Sequence, residues 1–395
     1  MTVCIAGKNN IAVNVCQQIL ERYPEVSLVS IYNKTDWGED SWQRSFRKYC
    51  HEKNIPAVTL QDVYNIPDLI FISLEFDSII KPEKFASKQL YNIHFSLLPE
   101  YKGMYTSALP ILHGTKYSGV TFHQIDAGID TGDIIAQEKF ALSPQETARS
   151  LYLKYINKGT DLVISLLGKI LRNECTATPQ PAAGSTYYSK KAINYSNVQI
   201  DAQVTANQLD SQIRAYTFRE YQLPQLNGRA VRKIEITTAK SNLRPGSITN
   251  ITPYTHTQAT IDYDVNVYYD QMDNILQCCR ENDVETLKNI PLLQSYLDEQ
   301  EPTHGWTPLM VAAYHHSTDV CTYLLSHGAN VNARNHKGTT VLMYAKDAAL
   351  ATHDFKYLDL FLKHGADKHA LDNAGLSLAD YLHGQSLELK EYLHI

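Results

Sequence analysis

Two short stretches of the chain carry side chains that can do chemistry together. The first runs from Asn92 to Pro99, Asn-Ile-His-Phe-Ser-Leu-Leu-Pro, and the second from Val120 to Ile135. Asn92 and His94 stand two residues apart at the end of an apolar run (Leu90, Tyr91, Ile93), so on a strand they point to one face. Asp130 follows the Gly-Ile of a turn in the second stretch. A carboxylate beside an imidazole fixes its tautomer and favours its protonated form, which suits a residue that handles a proton near neutral pH. An amide can hold a developing oxyanion. Amide, imidazole and carboxylate together meet what transfer of an acyl group to an amine requires. Taken singly, His94 reads as a satisfied histidine at a strand end and Asp130 as a helix N-cap; it is the pairing of the two patterns that points to chemistry.

The elements that must position these groups alternate. Val3 to Ala6, Val26 to Ile31, Leu69 to Leu74 and Leu90 to His94 are short apolar runs, separated by amphipathic stretches such as Ile11 to Arg22 and Ser41 to Glu52. That order predicts an α/β domain with an open parallel sheet covered by helices over residues 1–180. Ligands of such sheets bind beyond the carboxyl ends of the strands, where His94 lies. The first turn, Gly7-Lys-Asn-Asn10, lacks the spaced glycines of a dinucleotide fingerprint and the lysine spacing of a P-loop, which excludes NAD and ATP. His94, His113 and His123 have no recognised zinc-ligand spacing, so no metal is expected.

The paired patterns resemble the folate-dependent formyltransferases, which use N10-formyltetrahydrofolate as cosubstrate. The resemblance implies that Asn92, His94 and Asp130 are the catalytic trio, and it assigns the loop after Leu74 (Glu75, Phe76, Asp77) and the segment Gln124, Ile125, Asp126 to Gly128 to the pterin and its backbone contacts. One departure is Phe95, where many members carry proline; the same change occurs in the branch that formylates amino sugars on nucleotide carriers. In that branch a segment like Ile213-Arg-Ala-Tyr-Thr-Phe-Arg-Glu-Tyr-Gln-Leu-Pro224 supplies aromatic faces. Phe218 and Tyr221 would then sandwich a thymine and Arg219 meet a phosphate, with Lys102 and Tyr187 near the diphosphate and sugar.

The proline-rich stretch Thr176 to Gly184 reads as a linker, and residues 185–270 as a small α+β middle domain that binds nucleotide-sugar or makes a dimer, with a helix over Ala206 to Tyr216 and strands over Ala230 to Thr237 and Ala259 to Tyr263. Residues 271–395 are self-similar. Gly305-Trp-Thr-Pro-Leu-Met and Gly338-Thr-Thr-Val-Leu-Met lie 33 residues apart, and Leu324-Leu-Ser-His-Gly-Ala-Asn330 recurs as Phe361-Leu-Lys-His-Gly-Ala-Asp367 after 37. These are all-α ankyrin repeats with about four extra residues near Ala348 to Asp354, a degenerate first repeat at Asp273 to Ser295 and a last one at Gly375 to Leu393. Trp306, with His304, Tyr314 and His315 nearby, is expected to form an exposed patch that binds a protein or a second nucleotide-sugar.

Charge and cysteine use limit the partners. From Gln271 onward nine Lys plus Arg stand against sixteen Asp plus Glu, a net of −7, which leaves +1 for the first 270 residues. An acidic module of this kind repels nucleic acid and weighs against methionyl-tRNA as acceptor. Seven scattered cysteines without a CxxC pair fit a reducing compartment, and the N-terminus lacks a signal peptide; no membrane association and a cytoplasmic location are expected. The combined resemblance implies a homodimeric dTDP-3-amino-3,6-dideoxyhexose N-formyltransferase with an ankyrin extension, acting in O-antigen or related lipopolysaccharide synthesis. A 4-amino sugar acceptor, a formyl-folate hydrolase and a non-enzymatic ankyrin scaffold are the alternatives.

Overall fold

The computed structural model describes residues 1–382 and 387–395, so residues 383–386 of the expected last repeat lie outside it. The chain divides into two compact units, Met1–Ile248 with Gln258–Asn266, and Thr249–Thr257 with Val267–Ile395. Most of the segment 185–270, expected as a domain of its own, therefore falls in the first unit.

In the first unit, β1 (Thr2–Gly7), β2 (Ser27–Tyr32), β3 (Leu69–Leu74) and β4 (Gln89–His94) are followed by the short β5 (Lys102–Gly103), by β6 (Tyr117–Gln124) and β7 (Ile134–Ala141), and by β8 (Tyr187–Tyr188). The sheet order is β2-β1-β3-β4-β6-β7. Its first four strands are parallel, while β6 and β7 run antiparallel to their neighbours, so the expected parallel sheet is a mixed one. The mixing matters for the site. Antiparallel pairing sets Asn92 directly opposite His123 and His94 opposite Thr121.

Strand period fixes which way these residues face. Ile70, Ile72, Tyr91 and Ile93 enter one core with helix Asn9–Arg22 and helix Ala148–Leu171, whereas Leu69, Phe71 and Leu90 enter a smaller core on the opposite face. Asn92 and His94 alternate with Tyr91 and Ile93 and so share the face of Leu90. Helix Ala148–Leu171 opens with a capping box, in which Thr147 Oγ1 accepts the Ser150 N–H and Ser150 Oγ accepts the Thr147 N–H. Gly159 lets this helix close on the sheet, because an added Cβ there would come within 3.3 Å of Ile11, Ile93 and Phe95. Phe95 itself stacks on Tyr155, ring centroids 5.3 Å apart, and so packs the first turn beyond β4 against the helix.

Two expected elements change. Of the stretch Ser41 to Glu52 only Phe46–Glu52 is helical, since Ser45 caps it by accepting the Lys48 N–H at 3.0 Å and the preceding residues form a loop that holds Trp42. The strand expected over Ala259 to Tyr263 instead spans Thr255–Ala259. Asp262 breaks it, its Oδ1 accepting from Ala206 N at 2.7 Å, Thr260 Oγ1 at 3.0 Å and Tyr263 N at 3.0 Å. Helix Ala206–Tyr216 lies where expected, and a hairpin of β9 (Gln225–Leu226) and β10 (Arg229–Ile236) turns through Asn227 and Gly228.

The second unit stacks helix pairs around one continuous core. Pro308–Tyr314 with Thr318–Ser326, and Val341–Thr352 with Tyr357–Lys363, are its full repeats, each first helix capped by the threonine of the repeat (Thr307, Thr340). The extra residues lengthen the helix Val341–Thr352 beyond its counterpart, and the helix stops at His353 in the left-handed region, φ 57°. Among the described residues no helix is long and apolar enough to cross a membrane.

Candidate active site

The end of β4 and the loop between β6 and β7 bring Asn92, His94 and Asp130 together. His94 Nε2–H donates to the carbonyl of Tyr101 at 2.8 Å, which turns Nδ1 toward Asp130 Oδ2, 3.4 Å away. The tautomer of His94 is therefore fixed by Tyr101 rather than by Asp130, a correction to the expectation that the carboxylate does it. Asp130 Oδ2 is instead held by the Gly103 N–H at 2.9 Å. Its carboxylate is placed to balance a positive charge on the ring.

His123, whose spacing from His94 and His113 does not suit zinc, is a further member of the site. Its Nδ1–H donates to the Gln124 carbonyl at 2.7 Å, so Nε2 carries the lone pair and accepts from Asn92 Nδ2 at 3.1 Å. That bond orients the Asn92 amide and leaves its second N–H without a protein partner among the described residues. Burial, and then the neighbouring His94, push the His123 imidazole down to about 4, against the pull of Asp130, whose Oδ1 is 3.7 Å away. His123 stays neutral at physiological pH and remains an acceptor. The sequence offers only the place of His123 inside the second pattern, Val120-Thr-Phe-His-Gln; its pairing with Asn92 comes from the fold.

The remaining predicted residues separate into groups. Asp126 Oδ1 caps its own loop, accepting from Gly128 N at 3.0 Å and Thr131 Oγ1 at 2.7 Å, and Ile125 donates its N–H to Leu90 O at 2.8 Å next to Gln124. Phe76 and Ile125 pack on the same small core, and Asp77 stays exposed. Lys102 and Tyr187 are register partners in the β5–β8 pair, Lys102 buried and Tyr187 exposed.

Phe218 and Tyr221 belong to an aromatic cluster with Trp42 and Tyr152, and Arg219, half-buried, follows Phe218 in the chain. Phe218 is 5% exposed and Tyr221 61%. Their ring centroids are 4.7 Å apart and tilted by 46°. A base sandwiched between two rings needs roughly 7 Å, twice a van der Waals contact, so these two rings form no sandwich, and Phe218 is a wall rather than a face. Trp42 meets Phe218, Tyr221 and Tyr152 edge-on or tilted at 5.5, 5.8 and 5.7 Å. Tyr152 donates to the Glu75 carboxylate at 2.8 Å, and Asn9 Nδ2 reaches it at 3.3 Å. Desolvation pushes the Glu75 carboxyl up from its ordinary range, opposed by Lys8 and by those two hydrogen bonds.

In the second unit Trp306 touches Tyr344 at 4.5 Å, Tyr314 at 5.6 Å and His304 at 6.2 Å, and Tyr314 touches His315 at 5.3 Å. The four residues expected to form a patch are contiguous. Tyr344, one repeat on, joins them. Among the described residues no group of three or more His, Cys, Asp or Glu is spaced to hold a metal ion.

Comparison with known proteins places these features. A family model for formyl transferase matches residues 67–167, and one for ankyrin repeats (3 copies) matches residues 275–372. The solved structure of WlaRD, a sugar 3N-formyl transferase in the presence of dTDP and 5-N-formyl-THF, is 41% identical, the match covering 68% of this chain and 97% of that one with a TM-score of 0.63. The N-formyltransferase from Helicobacter canadensis, in complex with folinic acid and dTDP-3-aminofucose, is 39% identical, covering 68% of this chain and 99% of that one, also at a TM-score of 0.63. A methionyl-tRNA formyltransferase of Parvibaculum lavamentivorans is 29% identical over 232 residues, 55% of this chain and 74% of the relative. For the one of Burkholderia multivorans, 33% identical over 165 residues, the chain spans half the relative's length.

Proposed function

We propose that this chain, which belongs to the formyl transferase family and within it to the sugar N-formyltransferases, moves the formyl group of N10-formyltetrahydrofolate onto the amine of a dTDP-linked amino-dideoxy sugar, 3-amino-3,6-dideoxyglucose being the acceptor chosen. The observation that carries this reading is the convergence of Asn92, His94 and Asp130 with every orienting hydrogen bond in place. As the uncharged sugar amine forms its bond to the formyl carbon, His94 Nδ1 takes the amine proton and Asp130 balances the imidazolium. The uncommitted N–H of Asn92 donates to the formyl oxygen as it gains charge. A donor of this kind contributes about 3 kcal/mol to lowering the barrier. Collapse restores the carbonyl, breaks the bond to N10, and His94 returns the proton to that nitrogen.

Phe76, Asp77 and the segment Gln124 to Gly128 are assigned to the folate. For the acceptor, the exposed ring of Tyr221 with the edge of Trp42 offers a stacking surface for the base, and Lys102, Arg219 and Tyr187 serve the diphosphate and sugar. Residues 1–180, 185–270 and 271–395 are proposed as catalytic, acceptor-binding or dimerising, and ankyrin segments of a cytoplasmic homodimer working in O-antigen or related lipopolysaccharide synthesis. The curated methionyl-tRNA formyltransferases favour a second acceptor, methionyl-tRNA, against which the −7 charge after residue 270 speaks. One assay separates them. Formyl-folate is incubated with the protein and a panel of dTDP-linked and UDP-linked 3-amino and 4-amino sugars, or with methionyl-tRNA, and products are read by mass spectrometry. Formylation of a dTDP-3-amino sugar is expected; formylation of methionyl-tRNA alone would overturn the reading.

A further inference from the structure

The stretch Thr176 to Gly184 reads as a linker, yet it is tied to the reactive centre from both sides. Thr178 exchanges both backbone hydrogen bonds with Ile134, at 2.8 Å each. Downstream, Thr186 Oγ1 accepts the Tyr101 N–H at 2.7 Å, and the Thr186 carbonyl accepts the Lys102 N–H at 3.0 Å. Tyr101 is the residue whose carbonyl takes the His94 Nε2–H. Between these two anchors, Gln180 turns its side chain back into the β6–β7 loop. Its Nε2 donates to the carbonyl of Asp130 at 2.9 Å and to that of Gly132 at 2.8 Å.

The loop needs such a hold. Asp130 has φ 56°, a left-handed conformation that a residue with a Cβ keeps only where its surroundings over-determine it. Its carboxylate is fixed to the Gly103 N–H, but the backbone conformation decides where that carboxylate points. Gly132 closes the turn so tightly on β6 that an added Cβ would sit 1.9 Å from the Gln124 carbonyl oxygen. Both hydrogens of the single Gln180 amide are spent on the two carbonyls that flank Thr131, while its Oε1, buried, has no partner among the described residues. Pro179 and Pro181 stand on either side of Gln180. Their rings fix φ and restrict the residue before each, so the amide is carried on a stiff backbone.

We infer that Gln180 is a positioning residue for formyl transfer, acting through Asp130 by holding the left-handed turn that aims its carboxylate at His94. The inference rests on the reading of Asp130 as part of the reactive centre.

Gln180→Met keeps length and volume and removes both donors. Steady-state kinetics with formyl-folate and the acceptor identified by the panel should show kcat lowered roughly 10- to 100-fold, with both KM values within about twofold of wild type. In an Asp130→Asn background the same substitution should lower kcat by less than about twofold more, because its effect passes through a carboxylate already lost. Gln180→Lys, which keeps N–H donors at similar reach, should retain at least about half of the wild-type kcat. An unchanged kcat in Gln180→Met, or an equal loss in both backgrounds, overturns the proposal. Should Gln180→Met fail to fold, equal kcat per folded molecule for Gln180→Lys and Gln180→Ala overturns it instead. A wild-type kcat in Asp130→Asn sinks the underlying reading, whereas an impaired Asp130→Asn beside a normal Gln180→Met sinks this proposal alone.

Discussion

The polar centre at the end of β4 and the aromatic cluster around Trp42 belong to the same compact unit and are built by opposite rules. In the first, single hydrogen bonds fix single atoms: Tyr101 O fixes His94, His123 Nε2 fixes Asn92, and Gly103 N fixes Asp130. In the second, Trp42, Tyr152, Phe218 and Tyr221 hold one another by ring contacts of 4.7 to 5.8 Å, each ring touching two or more others. Hydrogen-bonded centres lose geometry when one partner goes, because each reacting atom is aimed by a single bond. Ring clusters lose area and fill in. Substitutions in the centre should therefore damage turnover and spare the fold, while substitutions in the cluster divide between stability and binding according to how buried each ring is.

The largest expected effect tests the centre. Asp130→Asn keeps the shape and removes the charge opposite His94 Nδ1; kcat should fall about 10²-fold or more, with folate and dTDP-sugar affinity and melting temperature nearly unchanged. His94→Asn should behave alike. A melting temperature that drops along with kcat would show that the centre is a packing element after all, and the contrast with the cluster would vanish.

Within the cluster, Phe218 and Tyr221 should part company. Phe218→Ala empties a buried position and should cost about 3 kcal/mol of stability in denaturant unfolding. Tyr221→Ala should cost little stability and weaken dTDP-sugar binding by about 1 kcal/mol in calorimetry, leaving formyl-folate affinity intact. Weakened dTDP-sugar binding in both variants, with stability intact in both, would restore the sandwich that the 4.7 Å contact denies.

His123 joins the two regimes, since it is buried like a core residue and hydrogen-bonded like a site residue. Its imidazole sits at about 4 in the folded chain against 6.5 ordinarily. The unfolded chain then binds more protons between those values, so the stability from a neutral His123 is complete above pH 6.5 and is lost as pH falls toward 4. Counted from well above pH 6.5 down to pH 5, the loss is about 2 kcal/mol. His123→Gln, which still offers Asn92 an acceptor, should flatten that slope in unfolding curves measured across the interval. An unchanged slope would assign the acid sensitivity to other groups.

The same division explains what the sequence disclosed. That Asn92 and His94 share a face was legible from strand period, whereas the grouping of Asp130 with them was legible only through the resemblance of the two paired patterns. The parallel strands were legible from their short apolar runs, and the repeats from self-similarity at intervals of 33 and 37 residues. His123 was not, because its role comes from antiparallel register between β4 and β6, and nothing local distinguishes an antiparallel from a parallel neighbour. Nor was the Trp42 cluster, drawn from positions 42, 152, 218 and 221, or the bracing by Gln180 from a stretch whose prolines read as a linker. Long-range pairing of this kind leaves no periodic trace.

The smallest effect concerns the second aromatic cluster, where the comparison can be repeated on an independent scaffold. Trp306 is half-buried, its ring 4.5 Å from Tyr344 and 5.6 Å from Tyr314, with His304 and His315 at the edge. By the rule drawn from Trp42 and Phe218, a half-buried ring should contribute to both folding and recognition. Trp306→Ala should accordingly lower stability by about 1 kcal/mol, well short of a fully buried ring, and should change affinity for whatever the patch binds. If that ligand is a second molecule of nucleotide-sugar, equilibrium titration of the wild type finds more than one site per chain, and the substitution reshapes the substrate-saturation curve through a coupling of about 1–3 kcal/mol, equal in both directions. If it is a protein, titration finds one site per chain and the saturation curve of Trp306→Ala overlays the wild type. One site, an unchanged curve and an unchanged stability together would leave Trp306 outside the rule, and exposure would then be no guide to what an aromatic cluster does in this chain.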